Sequence, residues 1–117
     1  MAAGRIYHLC TREDWDLARE SGRYGGSAVD RADGFIHFSS AGQIEESAAR
    51  HRAGQPDLLL LTVEAGALGE ALKWESSRGG ALFPHLYGEL PASAVSRIDD
   101  LPLGSDGRHV FPPLKSD

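Results

Sequence analysis

The stretch L-K-W-E-S-S-R-G-G-A-L-F-P-H-L-Y-G, from Leu72 to Gly88, is the segment around which we expect the chain to be organised. The apolar–polar alternation from Leu72 to Glu75 predicts a strand. Gly79 and Gly80 predict a turn whose bare backbone can approach a ligand closely. Scaffolding alone rarely requires a carboxylate, a guanidinium, an imidazole and several rings in so short a run. The stretch therefore predicts one wall of a binding site.

Length and composition indicate one globular domain. The chain has 117 residues, of which 41% are apolar and 25% charged. This suits a single core within residues 1–117, with a loose tail from about residue 112. The formal net charge of −5 opposes nucleic-acid binding. The longest apolar run, Leu58 to Leu61, is far too short for a membrane span, and the N-terminus lacks the apolar core of a secretory signal.

Cysteine and histidine usage argues against a disulfide and against a metal centre. Cys10 is the single cysteine, so no internal disulfide and no multi-cysteine zinc site can form. We expect a buried, inert thiol and a location in the reducing cytoplasm. His8, Cys10, His37 and His85 lack the compact ligand spacing of a motif such as H-E-x-x-H. We therefore expect no metal.

The beginning of the chain predicts a strand followed by a helix. The alternation from Arg5 to Leu9 predicts a strand with His8 and Ile6 on one face. Thr11, with Asp14 three residues later, approximates a capping box that starts a helix through about Ser21. The residues expected on or beside its inner face are Trp15, Leu17, Ala18 and Ser21.

The next segments predict a loop, a strand and a second helix. Arg23 to Asp33 shows no periodicity and predicts a loop over the site. Gly34 to Ser39 predicts a strand. Ser40 and Gln43 form another capping box, which opens a helix to about Arg52. One face of the strand is expected to carry Phe35, His37 and Ser39, and the inner face of the helix Ile44, Ser47, Ala48 and His51.

The second half of the chain predicts strands without helical crossovers. The continuous apolar run from Asp57 to Glu64 predicts a central strand buried on both faces. Two early helices followed by consecutive strands predict an α+β fold with a largely antiparallel sheet. The further strands are expected at Leu72 to Glu75, Leu86 to Leu90 and Val95 to Leu101, with a turn at Asp106–Gly107 that returns the chain through His109 to Phe111.

Polar residues at three strand ends are expected to meet in one cleft. His8 ends the first strand, His37 lies on the second, and Glu75 ends the strand before the glycine pair. A carboxylate beside a sugar ring can stabilise positive charge at an anomeric carbon. A histidine can hold a ribose hydroxyl or transfer a proton. If the strands pack side by side, these residues line one pocket, with Arg78 and His85 at its rim.

The residues around the glycine pair predict a nucleotide ligand. An arginine beside Gly79-Gly80 can bind a diphosphate together with backbone N–H groups, which assigns Arg78 to phosphate. Phe83 and Tyr87 can stack on a flat heterocycle. Together these groups suit a nucleotide with a glycosidic bond.

Each candidate also has a purely structural interpretation. Glu75 can pair with Lys73 or Arg78 on the surface. His8 and His37 can hydrogen-bond to backbone at the strand ends. Trp15 and Trp74 are expected in the core, and Phe83 and Tyr87 can also be core residues instead of stacking on a ligand. His51 is expected to be semi-buried and His109 to lie at the surface.

Four motifs resemble a bacterial family called domain of unknown function 952. They are I-Y-H-L-C from Ile6, D-G-F-I-H-F-S from Asp33, P-D-L-x-L-L from Pro56 and L-K-W-E-x-S-R-G-G-A-x-F-P-H-L-Y from Leu72. The resemblance covers nearly the whole chain, from about residue 5 to 111. It implies the fold of the ADP-ribosyltransferases, which bind NAD in a cleft between two small antiparallel sheets.

The resemblance also implies roles for individual residues. His8, with Thr11 nearby, is similar to the first-strand histidine that meets a ribose of NAD. His37 lies where those enzymes place a tyrosine that stacks on nicotinamide, and Ser39 follows at a small-residue position. Glu75 is the candidate for their catalytic glutamate.

Three functional hypotheses follow from these residues. In the first, a small cytoplasmic protein binds NAD or a related nucleotide and transfers ADP-ribose or cleaves the nicotinamide glycosidic bond. Catalysis then rests on Glu75 (or Glu89) and His37, and binding on His8, Thr11, Ser39, Arg78, Phe83, His85 and Tyr87. In the second, the same fold is a non-catalytic module that binds a metabolite or a protein, which the histidine at position 37 favours. The third is a histidine–carboxylate hydrolase for another small ligand.

Overall fold

The structure is a computed structural model that describes residues 4–114, leaving aside the side chain of Arg78. The last three residues of the predicted tail lie outside this range. Within it the chain forms nine strands and three α-helices, and none of these helices is long and apolar enough to cross a lipid bilayer. The helices are α1 (Arg12–Ser21), α2 (Ala28–Asp33) and α3 (Ile44–His51). The strands are β1 (Arg5–Thr11), β2 (Arg23–Tyr24), β3 (Ile36–His37), β4 (Ser39–Ser40), β5 (Leu58–Glu64), β6 (Leu72–Ser76), β7 (Leu82–Leu86), β8 (Leu90–Pro91) and β9 (Val95–Leu101).

The strands form three antiparallel sheets, as the α+β prediction requires. A four-stranded sheet has the order β4-β1-β5-β9, a three-stranded sheet the order β3-β7-β6, and β2 pairs with β8. Short 3-10 segments connect several strands, at Ala65–Ala71, Arg78–Gly80 and Ala92–Ala94. Among the described residues, only β6 and β7 are paired strands that follow each other directly in the chain, and the other pairs join strands that are distant in the sequence.

Two apolar clusters pack on opposite faces of the four-stranded sheet. Ile6 and Cys10 of β1 belong to the cluster shared with α1 and the three-stranded sheet. Tyr7 and Leu9 belong to the cluster shared with α3. Strand β5 is buried on both faces, as predicted from its continuous apolar run. This two-sided burial fixes β1 and β5 as the rigid base of the molecule.

The two predicted helices differ in how well their caps were predicted. The Asp14 N–H donates to the Thr11 hydroxyl at 3.1 Å, so Thr11 caps α1 as expected. The box at Ser40 and Gln43 forms only in part: the Ser40 N–H donates to Gln43 Oε1 at 3.0 Å, and the helix begins later, at Ile44. Pairing of Ser40 with β1 keeps its backbone extended, which delays the helix.

Some residues predicted on the inner faces of α1 and α3 are exposed in the structure. Trp15 and Ala18 are buried as predicted, whereas Leu17 is 60% exposed and Ser21 is exposed as well. Two residues turn a helix by more than half a revolution, so Leu17 faces away from Trp15. The predicted inner residues Ile44, Ser47 and Ala48 of α3 are buried, but His51 is exposed.

The loop predicted from Arg23 to Asp33 was wrong, because this segment contains β2 and α2. Ser27 and Asp30 form a complete capping box: the Asp30 N–H donates to Ser27 Oγ at 3.2 Å, and the Ser27 N–H donates to Asp30 Oδ2 at 2.7 Å. The spacing S-x-x-D was the signal for this short helix. Gly26 has a φ of +94°, and an added Cβ would lie 2.7 Å from Asp30 Cβ, so glycine is needed there.

Two predicted strands have different bounds in the structure. The strand Gly34 to Ser39 is divided, because β3 pairs with β7 whereas β4 pairs with β1. Between them the Phe38 N–H donates to the Pro84 carbonyl at 2.9 Å. The strand predicted from Leu86 to Leu90 lies earlier, at Leu82–Leu86, because β7 pairs along β6 and ends opposite Leu72.

Two predictions about exposure were also wrong. Trp74, expected in the core, is 44% exposed because β6 is the edge strand of its sheet. The turn at Asp106–Gly107 is confirmed by an antiparallel bridge between Leu103 and His109. However, His109 is partly buried, since its Nε2–H donates to the Gln55 carbonyl at 2.7 Å.

The two-sided burial of β5 predicts a large cost for truncating one of its side chains. Leu61 is fully buried, and Leu61→Ala should lower the free energy of unfolding by about 2–5 kcal/mol, because it leaves a cavity beneath β1. The matched control Leu17→Ala removes the same atoms from an exposed position and should change stability by about 0.5 kcal/mol or less. Urea unfolding followed by circular dichroism measures both, and equal losses would contradict this account of the core.

Candidate functional site

A cavity of about 420 Å³ lies beside β1, past the end of the short strand β4 and between α2 and α3. Strand β4 pairs only with Ile6 and Tyr7. On that side, within the described residues, β1 therefore has no strand partner from His8 to Thr11. An interrupted sheet edge next to two helices leaves both space and backbone polar groups for a ligand.

Five residues predicted from the sequence line this cavity although they come from four different strands. They are His8, His37, Ser39, Phe83 and His85. Three imidazoles thus meet in one place, although 77 positions separate the first from the last. The pairing of β3 with β7 explains part of this convergence, because it sets His37 directly opposite His85.

Three predicted residues lie outside the lining of this cavity. The Thr11 hydroxyl is occupied as the cap of α1. Glu75 and Tyr87 lie beside the cavity, on the same face of the three-stranded sheet as His85. Arg78 belongs to a turn in which Gly79 has a φ of +63° and Gly80 a φ of +82°, as the glycine pair predicted; its side chain lies outside the described residues.

The carboxylate of Asp30 is the centre of the polar network in the cavity wall. It is almost fully buried and accepts the His37 backbone N–H at 3.1 Å and His37 Nδ1–H at 2.5 Å, both on Oδ1. The Ser27 N–H binds the other oxygen. Burial by itself would raise the pKa of Asp30, but these donors, with His37 first, outweigh burial and lower the pKa to about 2. Asp30 is therefore an ionised carboxylate inside the protein.

His37 lies between two carboxylates. Its Nδ1 faces Asp30, and its Nε2 lies 3.0 Å from Asp33 Oδ2. The hydrogen bond to Asp30 is the main cause that raises the pKa of His37 above its ordinary value. With both ring nitrogens donating to carboxylates, His37 is held as an imidazolium.

His8 differs from His37 in its charge, although His8 Nε2 also lies near Asp30, 3.6 Å from Oδ2. Burial lowers the pKa of His8, so the ring is neutral. The Tyr24 hydroxyl, whose pKa is raised by burial, is 2.7 Å from Nε2 and donates to it. Nδ1 therefore carries the proton and donates to the His37 carbonyl at 2.6 Å. His8 is a fixed, neutral part of the wall.

A second polar group lies at the side of the cavity. Glu75 Oε1 accepts hydrogen bonds from His85 Nδ1 and from the Tyr87 hydroxyl, each at 2.8 Å. These bonds, with that of His85 first, lower the pKa of Glu75. The Phe35 ring stacks on His85 at a centroid distance of 4.2 Å and lies 4.6 Å from the His37 ring. Phe35 thus joins the two polar groups. The charge of Lys73, the surface partner considered from the sequence, also contributes to the lowered Glu75 pKa, after the bonds from His85 and Tyr87.

Another part of the cavity lining carries positive charge. Arg52, directly after α3, lines the cavity and donates to Gln55 Oε1 at 3.1 Å. His51 also lines it, although the sequence assigned this residue a structural role. An anionic ligand group is favoured at this wall, whereas a hydroxyl-bearing group suits the wall formed by Asp30 and Asp33.

Sequence reasoning missed several residues of the site. The capping spacing at Ser27 would have placed Asp30 on a helix, although not within reach of His37. Strand alternation placed Phe35 on the face of His37, although it assigned Phe35 no role. No local signal assigned Tyr24 or Arg52, because each meets the site only through long-range packing. Cys10 was predicted correctly as a buried thiol, and burial raises its pKa to about 11. Within residues 4–114, no group of three or more His, Cys, Asp or Glu side chains is arranged to hold a metal ion.

Comparison with known proteins gives a family and a fold. The family model described as protein of unknown function (DUF952) matches residues 9–98. The crystal structure of protein CC0527 from Caulobacter crescentus is 55% identical, with a TM-score of 0.88 over 91% of this chain and 93% of that chain. The solution NMR structure of CC0527 is 56% identical, with a TM-score of 0.80 over 89% and 90% of the two chains. No curated protein matches the chain.

The contacts of Asp30 and His37 predict a characteristic pH dependence of stability. The Asp30 pKa is lowered from 3.8 to about 2, so the stability it contributes is present above 3.8 and is lost as the pH falls towards 2. The His37 pKa is raised above 6.5, so its contribution is complete below 6.5 and is lost as the pH rises through the raised value. Asp30→Asn should therefore destabilise the protein most at about pH 5, between the two limits.

Urea unfolding of the wild type and of Asp30→Asn across this pH range measures the effect. His8, whose pKa is lowered by burial, adds its own pH dependence, and because Asp30 acts to raise the His8 pKa, this part also changes in Asp30→Asn. Asp16→Asn on the exposed side of α1 is the matched control and should have little effect at any pH. A loss in Asp30→Asn that stays constant with pH would contradict the charges assigned to Asp30 and His37.

Proposed function

Because the chain belongs to the DUF952 family, whose function is unknown, we propose from the geometry of the site that it binds NAD or a related nucleotide in the cavity beside β1. The observation that carries this proposal is the convergence of His8, His37 and His85 with Ser39 and Phe83 on one cavity. Its volume of about 420 Å³ falls within the range of small-molecule sites, about 300–1,000 Å³.

We assign the fold to the ADP-ribosyltransferase-like class and the protein to the cytoplasm as parts of the same proposal. Support for the fold comes from two small antiparallel sheets, β4-β1-β5-β9 and β3-β7-β6, whose strands supply the cavity residues. Support for the location comes from Cys10, which is a free, buried thiol.

The walls of the cavity suit the separate parts of a nucleotide. Phe83 and His85 offer rings on which a flat heterocycle can stack. Arg52 offers a guanidinium to a phosphate, and Arg78 keeps the phosphate role assigned from the sequence. His8 remains assigned to the ribose, and because both of its ring nitrogens already have partners in the Tyr24 hydroxyl and the His37 carbonyl, its contact with the ribose is one of packing.

The assignment of Arg52 predicts which ligands lose affinity when it is replaced. Arg52→Gln should weaken binding of NAD and of ADP-ribose by about tenfold, because a charge-assisted bond to phosphate is lost. Binding of nicotinamide, which has no phosphate, should be unchanged. Isothermal titration calorimetry with the three ligands measures these affinities.

The matched control is Arg50→Gln. Arg50 lies near the end of α3, two residues before Arg52, but pairs with Glu46 at 2.9 Å and is not among the residues lining the cavity. Its replacement should leave all three affinities as they are. If the wild-type protein gives no heat with any ligand at millimolar concentration, the nucleotide proposal fails.

Glu75 supports a catalytic version of the proposal. His85 and Tyr87 both donate to Oε1, so Oε2 is the oxygen that can accept a bond from a ribose hydroxyl. An ionised carboxylate there stabilises positive charge on the ribose ring. The bond from ribose to nicotinamide breaks, nicotinamide leaves with the electron pair, and a water molecule bonds to the ribose carbon and releases a proton.

This version predicts that Glu75→Gln abolishes nicotinamide release from NAD, with a loss of about 100-fold or more. Glu89→Gln is the matched control and tests the second candidate glutamate. Glu89 is exposed and lies 3.3 Å from Arg23, so its replacement should leave the rate unchanged. Chromatographic detection of nicotinamide measures release, and equal rates in the wild type and Glu75→Gln would reject the role of Glu75.

The second candidate function is a non-catalytic nucleotide-binding module. The observation that favours it is the state of His37, whose two ring nitrogens both face carboxylates and are therefore not available as a base. Calorimetric binding of NAD without any release of nicotinamide would select this function over the catalytic one.

A further inference from the structure

Strand β6 presents an open edge on the surface. It is the last strand in the order β3-β7-β6. Lys73, Trp74 and Ser76 are exposed, and Trp74 keeps 44% of its surface accessible. An exposed strand edge with a large apolar side chain is a template for pairing with another strand.

The backbone of Trp74 points towards this open edge. Trp74 lies opposite Pro84 in β7. Proline has no N–H, and the Pro84 carbonyl accepts a bond from Phe38 on the far side of β7. In an antiparallel pair such a residue makes no hydrogen bonds to its partner, so the N–H and the carbonyl of Trp74 point away from β7. By the same alternation, those of Ser76 point outwards as well.

We propose that a second copy of this chain pairs with this edge, antiparallel and centred on Trp74. The two sheets then join into one six-stranded sheet around a two-fold axis. About four backbone hydrogen bonds form, between the two Trp74 residues and between Ser76 and Leu72 of opposite copies. Leu72 contributes only its carbonyl to these bonds, because its N–H already donates to the Gly69 carbonyl.

The charges of β6 complement themselves in this register. Lys73 of one copy lies opposite Glu75 of the other, and the two-fold axis repeats the pair. Opposite charges on directly facing strand positions stabilise the pairing, whereas like charges oppose it. Because Lys73 shares its sheet face with Glu75, each copy brings an ammonium group next to the Glu75 of the other. The dimer thereby contributes a residue to the side of the candidate site.

The apolar side chains on the other face favour the same partner. Trp74 and Leu82 lie on one face of the hairpin, diagonally across β6 and β7, with 44% and 55% exposure. In the proposed dimer the two Trp74 rings lie side by side and cover each other. The edge of β9 carries Arg97, Asp99 and Asp100 instead, and such charges protect a strand edge from pairing.

Sedimentation equilibrium of the full chain over a wide concentration range tests the proposal. The wild type should show a mass that rises with concentration from that of a monomer, 12.6 kDa, to that of a dimer. Lys73→Glu places like charges opposite each other twice and should weaken association by about tenfold or more. Lys73→Arg, the matched control, should associate like the wild type. Combining Lys73→Glu with Glu75→Lys restores opposite charges and should restore association.

Amide hydrogen exchange of the wild type tests the register without any substitution. The Trp74 and Ser76 amides should exchange more slowly at concentrations at which the dimer forms, and the amides of β9 should not change. A mass that stays monomeric at millimolar concentration, or equal association of Lys73→Glu and the wild type, overturns the proposal. Neither measurement uses a nucleotide, so a failure here is distinct from a failure of the proposed function.

Discussion

The buried carboxylate of Asp30 is the interaction on which the site depends. It binds the start of its own helix through Ser27 and reaches β3 through both the backbone and the ring of His37. A buried charge is stable only when donors surround it, so these partners hold α2 in one position. In that position α2 closes one side of the cavity, and Asp30 also stabilises the charge of His37. The network therefore links the local fold of α2 to the electrostatics of the whole site.

The three-stranded sheet divides its two faces between packing and chemistry. Ile36 and Leu86 on one face belong to the core. His37 and His85, directly opposite each other, lie on the other face with Glu75. Because side chains alternate along a strand, each short strand contributes to both the core and the site. A small chain can in this way form a polar pocket without losing the apolar contacts that keep its sheets together.

The elements of the fold that were predicted correctly are determined by residues close to one another in the sequence. The hydroxyl of Thr11 identified the start of α1, and the unbroken apolar run of β5 identified a strand covered on both faces. The errors occurred where a local pattern competed with long-range pairing. Ser40 had the spacing of a helix cap but pairs with β1, and Trp74 had the composition of a core residue but lies on an edge strand. In both cases a strand that is distant in the sequence decides the structure, and a local sequence pattern carries no information about that strand.

For the site, the sequence by itself determined that imidazoles, a carboxylate and aromatic rings stand at strand ends and beside a glycine turn. It also determined that the elements around them form an α+β fold, because periodicity and capping are properties of neighbouring residues. Only the tertiary structure decided that His8, His37 and His85 line one cavity while Glu75 stands at its side. It alone decided that Asp30 and Arg52 line the same cavity. These facts depend on strand order and register, which join residues far apart in the chain and which no short segment specifies.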